Sequence, residues 1–453
     1  MGTAAMGDWV WAWADFSTLL MPGLLGLIGF AALASRPRAR GTGSPRVVFV
    51  HPDLGLGGAE RLVVDMAVAL QRRGFDVAIY TSFHDPARSF TETHDGCLEV
   101  VVRGGWIPRA IRGRCHILCA VLRSLSLTLS LVWLEWTRRR GACVAIVDQL
   151  SAPVPLLRLV GLRVVFYCHF PDKLLVQQRR PSAWQALYRL PFDALEEATT
   201  GCAHAVLVNS AFTRGVYARA FPLLRRARPP PAVLYPCIDV ERQQPLPPPA
   251  VATARASSPA GALAVVSFLS LNRYERKKNV ALALRAVAGL PTELRARVHL
   301  DVAGGCDPRV RENVEYLDEL RALARSLGIE ALVSFHCSVS DARRQELMCK
   351  ALALIYTPAD EHFGIVPLEA MAAARAVIAV RSGGPLETVV DGTTGLLCEP
   401  TAEHVGRALR ECVDDPAKAA RMGAAGREHV CARFAAGPFG EHLQHIVDEQ
   451  LQS

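Results

Sequence analysis

The chain has no Cys-x-x-Cys pair, no Asn-x-Ser/Thr triplet, no long run of like charge and no short internal repeat. Its 13 cysteines are odd in number and scattered. That pattern argues for free thiols in a reducing compartment and against a disulfide scaffold. Cys115 and Cys119 share a helix face inside an apolar run, which suits packing better than zinc, because no further His/Cys cluster supplies the remaining ligands. The missing glycosylation triplet leaves nothing to mark the body for the secretory lumen. A charge of +8, from 51 Lys and Arg against 43 Asp and Glu, sits in short runs such as "RPRAR" and "WTRRRG". So small and dispersed a surplus favours anionic lipid or phosphate over a nucleic-acid groove, and no nucleic-acid partner is expected.

What is present is apolar and ordered. With 453 residues at 51% hydrophobic, the chain has material for two or three domains with real cores. Phe16 to Ala34 is unbroken by charge and close to the length a membrane helix needs. Trp9, Trp11 and Trp13 precede it, and Arg36, Arg38 and Arg40 follow it. This pattern predicts an uncleaved anchor with everything after Arg36 in the cytosol. Ala32-Leu33-Ala34 also resembles a signal-peptide cleavage site, but the basic start such peptides need is missing and Asp8 and Asp15 stand in its place. A second apolar stretch, Ile117 to Leu134, is interrupted by Arg123. A central arginine is costly in hydrocarbon, so this stretch is expected on a membrane surface or packed against the fold.

From Arg46 onward, near-continuous β-branched runs alternate with segments of helical periodicity. "RVVFVH", "FDVAIYTS", "ACVAIVD" and "LRVVFYCHF" look like strands buried on both faces of a parallel sheet, with "AERLVVDMAVALQRR" a helix between them. The proline-rich stretch from Arg228 breaks the pattern, which then restarts with "AVVSFLSLNR" and "RVHLDVAGG". The predicted organisation is an anchor and basic flank at 1–45, a Rossmann-like domain at 46–227 and a linker at 228–262. A second Rossmann-like domain at 263–433 and a C-terminal helix at 434–453, expected to cross back to the first domain, complete it. Two doubly wound α/β domains are expected to face each other across a cleft, with ligands at the carboxyl ends of the strands.

Candidate binding residues cluster at those ends. After the first strand, "HPDLGLGGAER" carries Gly55, Gly57 and Gly58, but Glu60 replaces the last glycine of a dinucleotide fingerprint. The next strand ends at Thr81-Ser82 without a ribose-binding carboxylate, which argues against a nicotinamide site. A turn remains whose amides, chiefly at Gly57 and Gly58, can approach a phosphate. In the second half, "LNRYERKKN" places Arg273 at a strand end with Lys278 five residues on, the compensation a diphosphate requires. In "DEHFGIVPLEAM", Glu361 precedes a helix and Glu369 lies inside it. Amides near Phe363, Gly364 and Ile365 would point at an anion, and the carboxylates would accept sugar hydroxyls. Glu387, after a Gly-Gly-Pro turn at the next strand end, is expected to approach the same space, and His169 in "FYCHFPD" ends a strand of the first domain.

Taken together, these motifs resemble the retaining glycosyltransferases of the two-Rossmann, GT-B type, family 4. The Glu361-x7-Glu369 signature, the "GGPLE" turn, the "RYERKKN" run and the "GGAER" loop occur in the family's order, and the resemblance spans Arg46 to the C-terminus. "HPDLGLGGAERLVVD", "FYCHFPD" and "EHFGIVPLEAM" are similar, more narrowly, to eukaryotic mannosyltransferases of dolichol-linked oligosaccharide synthesis, which add α1,3 and then α1,6 mannose from GDP-mannose. The resemblance implies catalytic roles for Glu361, Lys278 and His169: mannose hydroxyls for the first and last, diphosphate charge for Lys278. It implies that Arg273 and Gly58 also serve the phosphates and that Glu369 holds the ribose. It further implies a dolichyl-diphosphate-linked acceptor, the endoplasmic reticulum membrane with the catalytic domains in the cytosol, and other glycosyltransferases of the pathway as partners. No Asp-x-Asp occurs, so a metal-dependent donor site has no visible ligands and activity without tightly bound metal or cofactor is expected. Two other readings stay open: a related enzyme using another nucleotide sugar such as UDP-N-acetylglucosamine, and a non-enzymatic scaffold for membrane transferases.

Overall fold

A computed structural model describes residues 44–111, 114–138, 141–175, 183–241 and 265–452. The apolar segment Phe16 to Ala34 and the linker from residue 242 lie outside the described residues. The chain forms two compact units. Unit 1 gathers the described residues up to Leu207 with Ala218–Ala232 and the residues from Leu443; unit 2 comprises Val208–Tyr217 and Val233–His442.

Unit 1 is built on strands β1 (Arg46–His51), β2 (Asp76–Thr81), β3 (Glu99–Val102), β4 (Val144–Asp148), β5 (Arg163–Cys168), β6 (Ala205–Val208) and β7 (Ala232–Val233), in the order β3-β2-β1-β4-β5-β6-β7. The pairs β1 with β2, β1 with β4, β2 with β3 and β4 with β5 are parallel. Every residue of β1 and β4 is buried, as continuous apolar runs require when helices cover both faces. Helix α1 (Gly58–Gln71) buries Leu62, Val63, Met66 and Leu70 at helical spacing.

Helix α2 (His116–Thr137) contains the second apolar stretch, and by length and composition it is apolar enough to cross a membrane. One of its faces is nevertheless packed into unit 1 through Cys119, Leu127 and Leu131. Its two buried charges are each matched. Arg123 donates to Asp53 at 2.8 Å. Glu135 accepts from Arg46 at 2.9 Å and from the Tyr80 hydroxyl at 2.7 Å. A charge buried without a partner would cost several kcal/mol, so these pairs fix how the helix lies on the sheet. Trp133 and Trp136 remain on the exposed side. Helix α3 (Ala183–Thr200) follows later in the unit, and α4 (Ala211–Ala220) succeeds β6.

Unit 2 repeats the plan with β8 (Val266–Leu271), β9 (Val298–Gly304), β10 (Val333–Cys337), β11 (Ala351–Tyr356), β12 (Ala376–Val380) and β13 (Gly395–Cys398), ordered β10-β9-β8-β11-β12-β13. All its strand pairs are parallel. Alternate residues of β8 enter opposite layers: Phe268 joins the core with Leu284 and Leu409, and Leu269 joins Leu354, Leu368 and Met371. Its helices include α5 (Arg311–Ser326), α6 (Asp341–Lys350), α7 (Ile365–Ala372) and α8 (Pro416–Arg433). The C-terminal helix α9 (Ala436–Gln452) begins in unit 2, and its residues from Leu443 belong to unit 1.

In each sheet the strand order reverses once, between β1 and β4 and between β8 and β11. Ligands of doubly wound sheets bind outside the carboxyl ends at such a switch point.

Candidate active site

At the β8/β11 switch point, the run after β8 divides its cations. Arg276 turns away to α5, donating to Glu319 at 2.5 Å and Glu315 at 3.3 Å, which makes it a surface fastener. Arg273 and Lys277 share Glu275, each at 3.1 Å, and stay largely exposed. Lys278 alone is drawn in. It is 9% exposed, its carbonyl accepts from Thr357 after β11 at 2.8 Å, and its Nζ donates to Glu361 at 2.5 Å. A carboxylate on the loop after β11 therefore balances an ammonium on the loop after β8, and the half-buried pair is stable because neither charge is left alone.

The Gly-Gly turn explains how Glu361 is held. A Cβ at Gly383 would collide with the Glu361 backbone, and one at Gly384 with the backbone of Phe363. The Gly384 amide also donates to the Glu361 carbonyl at 2.8 Å. Only glycines allow the two loops to lie this close, and Gly383 has φ +63°, a left-handed conformation that side chains disfavour. Gly364, at φ +76°, turns the chain into α7, with its own backbone against Tyr356. Tyr356 is buried beside both acids. Burial, then the charges of Glu361 and Glu369, push its phenol well above the ordinary range. The Phe363 ring faces inward, stacked on Tyr235 at 5.8 Å and near Phe434 at 6.1 Å, so it contributes to packing and only its backbone belongs to the α7 entrance.

Glu369 and Glu387 have partners that the sequence did not announce. Glu369 is paired with Arg344 of α6; burial raises its carboxyl pKa and the guanidinium partly offsets that rise. Glu387 is bonded to the start of a neighbouring helix. Its oxygens accept from the amides of Ala211 and Phe212, each at 2.7 Å, and from the Tyr235 hydroxyl at 3.0 Å. It closes the first turn of α4, where a carboxylate satisfies amides that have no intrahelical partner. Both of its oxygens are thus bonded within unit 2 in this structure.

Unit 1 assembles a second polar group. Gly57 and Gly58 open α1 as predicted, but the turn is not bare: the Glu60 carboxylate folds back so closely that a Cβ on Gly57 would collide with it. Gly58 has open space around its Cα. His169, just after β5, donates through Nε2 to Asp148 at the end of β4, 2.7 Å away. Asp148 also meets Nδ1 of His51, the last residue of β1, at 2.8 Å. Burial opposes ionisation of Asp148, but the His169 charge and the bonds from both rings outweigh it and hold the carboxyl at about 2. Burial likewise opposes a charged His169, yet Asp148, then Glu60, raise its pKa overall. Three residues beyond His169, Asp172 borders a cavity of about 240 Å³ lined by Ile117, Val121, Leu150, Phe192 and Glu196. Burial lifts Asp172 to about 6 and, with the Asp172 charge, Glu196 to about 7.

Sequence reasoning brought out Lys278, Glu361, Glu369 and His169 but missed Arg344, Tyr356, Asp148 and His51. The last two carried one available signal: each ends an apolar strand run with a polar residue, at the two strands that flank the switch point.

Two doubly wound sheets with a Lys–Glu pair and a second acid on the following helix define a nucleotide-sugar-type glycosyltransferase scaffold. Residues 56–242 match the family model Glycosyltransferase Family 4, and residues 266–429 match Glycosyl transferases group 1. The chain is 44% identical to the alpha-1,3/1,6-mannosyltransferase of Rhizomucor pusillus, over 90% of this chain and 92% of that one. It is 43% identical to the human alpha-1,3/1,6-mannosyltransferase, over 90% and 96%. The chain belongs to the alpha-1,3/1,6-mannosyltransferase family and is a glycosyltransferase. Among solved structures, the sucrose-phosphate synthase of Thermosynechococcus elongatus superposes with a TM-score of 0.67 at 20% identity, covering 90% of this chain and 98% of that one. Anabaena HepE in complex with UDP gives 0.66 at 19% identity, covering 89% and 100%. These two likenesses establish the fold.

Proposed function

We propose that the chain transfers mannose from GDP-mannose to a dolichyl-diphosphate-linked Man-GlcNAc2 acceptor, first in α1,3 and then in α1,6 linkage, at the cytosolic face of the endoplasmic reticulum membrane. The observation that carries the reading is the half-buried Lys278–Glu361 pair at the β8/β11 switch point, with Glu369 on the adjoining helix. The family relationship supports mannose as the transferred sugar. When the donor enters, its diphosphate takes over the Lys278 ammonium, and Glu361 turns to the sugar hydroxyls as an acceptor. Arg273, still exposed, closes on the same phosphates, and Glu369 accepts from the ribose with Arg344 as its countercharge. His169, fixed by Asp148, offers its ring to a sugar hydroxyl.

Catalysis then rests on positioning and charge stabilisation: the leaving diphosphate is neutralised as it departs and receives the proton of the attacking acceptor hydroxyl. No tightly bound metal is required in this scheme. Acceptor and membrane lipid are proposed as partners, the apolar face of α2 with Trp133 and Trp136 being suited to a bilayer surface.

The test is incubation of purified full-length protein with GDP-mannose and lipid-linked Man-GlcNAc2 in the presence of EDTA, followed by linkage analysis. Two added mannoses, one α1,3 and one α1,6, are expected, and GDP should raise the melting temperature more than UDP. Absence of product, or transfer only from a UDP-sugar, overturns the assignment.

A further inference from the structure

His51 and Asp148 have no role in the scheme above except that Asp148 holds His169. His51 is fully enclosed and Asp148 is 1% exposed, so neither is reached by a substrate. Their geometry is nevertheless specific. Asp148 accepts from His51 Nδ1 through one oxygen at 2.8 Å and from His169 Nε2 through the other at 2.7 Å. An ionised carboxylate only accepts, so both ring nitrogens carry their protons. His51 Nε2 meets no hydrogen-bond partner among the described residues, and a proton there would be buried without an acceptor. The His51 ring is thereby fixed as the Nδ1–H tautomer, a rigid donor to one oxygen of Asp148.

We propose that His51 is a positioning residue for His169: by holding one carboxylate oxygen, it fixes the orientation of Asp148 and, through it, the orientation and charge of the His169 imidazole. The inference rests on the sugar-contacting role given to His169. The groups facing that imidazole include Asp148 from β4, Glu60 from α1 and the Tyr167 ring at 4.9 Å; Asp148 is itself faced by both histidines and lies near Cys168. Removing the His51 donor leaves the carboxylate charge undivided toward His169. A neighbouring anion favours the charged ring, so His169 then titrates at higher pH.

The direct test is an NMR titration of histidine-labelled full-length protein without substrate, with the His169 signal assigned by its loss in His169→Gln. The set is wild type, His51→Leu, His51→Asn and His51→Gln. The His169 midpoint should move to higher pH in His51→Leu and His51→Gln and return toward wild type in His51→Asn, whose amide nitrogen stands where Nδ1 stood. In transfer assays His51→Leu should lower kcat about ten- to a hundredfold, the loss of one hydrogen bond to a charged group. KM for the donor should hold, and the alkaline limb of the pH profile should move with the NMR midpoint. One midpoint shared by all four proteins overturns the proposal; if His51→Leu fails to fold, equal midpoints for the Asn and Gln variants do the same. Because the titration uses no substrate, failure to transfer mannose from GDP-mannose would count against the functional reading alone.

Discussion

The two switch points are built on opposite electrostatic plans. At β8/β11, full cations meet carboxylates in pairs that keep some solvent contact: the Lys278 and Glu361 side chains are 11% and 27% exposed. At β1/β4, one carboxylate is sealed between two imidazoles, and no Lys or Arg among the described residues is bonded to it. The difference lies in what each arrangement permits. A pair at the edge of solvent is free to exchange partners, because both groups have somewhere to go. A sealed carboxylate, with one imidazole on each oxygen and no solvent to turn to, holds its geometry.

Breaking the first arrangement should have the largest effect. Lys278→Ala and Glu361→Ala are each expected to slow mannosyl transfer by about a hundred- to a thousandfold, the loss typical of one charge-stabilising contact. Circular dichroism should show the fold intact. Transfer within a few-fold of wild type would place the chemistry elsewhere.

The second arrangement should show itself in stability. Asp148 titrates at about 2 in the folded chain, below the ordinary 3.8 of its unfolded state. Its contribution is complete above the unfolded value and is lost as pH falls through the folded one. That amounts to about 2 kcal/mol at neutral pH. Urea unfolding of Asp148→Asn should therefore reveal a deficit of about 2 kcal/mol near neutral pH that stays level down to the unfolded value and shrinks only as pH falls from there toward about 2. A deficit independent of pH would mean that packing, and not the ionised carboxylate, is what the substitution removes.

The smallest effect sharpens the contrast inside one motif. Arg276 sits two residues from Lys278, yet its partners Glu315 and Glu319 are exposed on α5. Such surface pairs contribute little. Arg276→Ala should leave both the melting temperature and the transfer rate at wild-type values. A large loss of transfer would show that the basic run acts as a unit.

Much of this was legible in the sequence for a definite reason. Strands buried on both faces must be continuously apolar, so β1, β4, β8 and β11 announced themselves, and the two doubly wound units with them. The ends of β8, β11 and β5 drew attention to Lys278, Glu361 and His169, since a loop leaving a parallel strand opens at the side where ligands of such sheets bind. The glycines at 383 and 384 were visible as a turn, but their purpose was not: it depends on how closely the Glu361 loop approaches, a distance no spacing records. The bonds of Glu387 to the first amides of α4 were likewise not legible, because they depend on how α4 packs and not on spacing.

What the sequence determined alone was periodicity: which segments are strands, which are helices, and where polar residues interrupt them. Periodicity is local, a consequence of how side chains alternate along a strand or recur along a helix. Only the tertiary structure decided partnership, joining Arg344 to Glu369 across 25 residues and His51 to Asp148 across 97. The reason is that a buried charge takes the nearest complement in space, and strand order, not chain order, sets which complement is near.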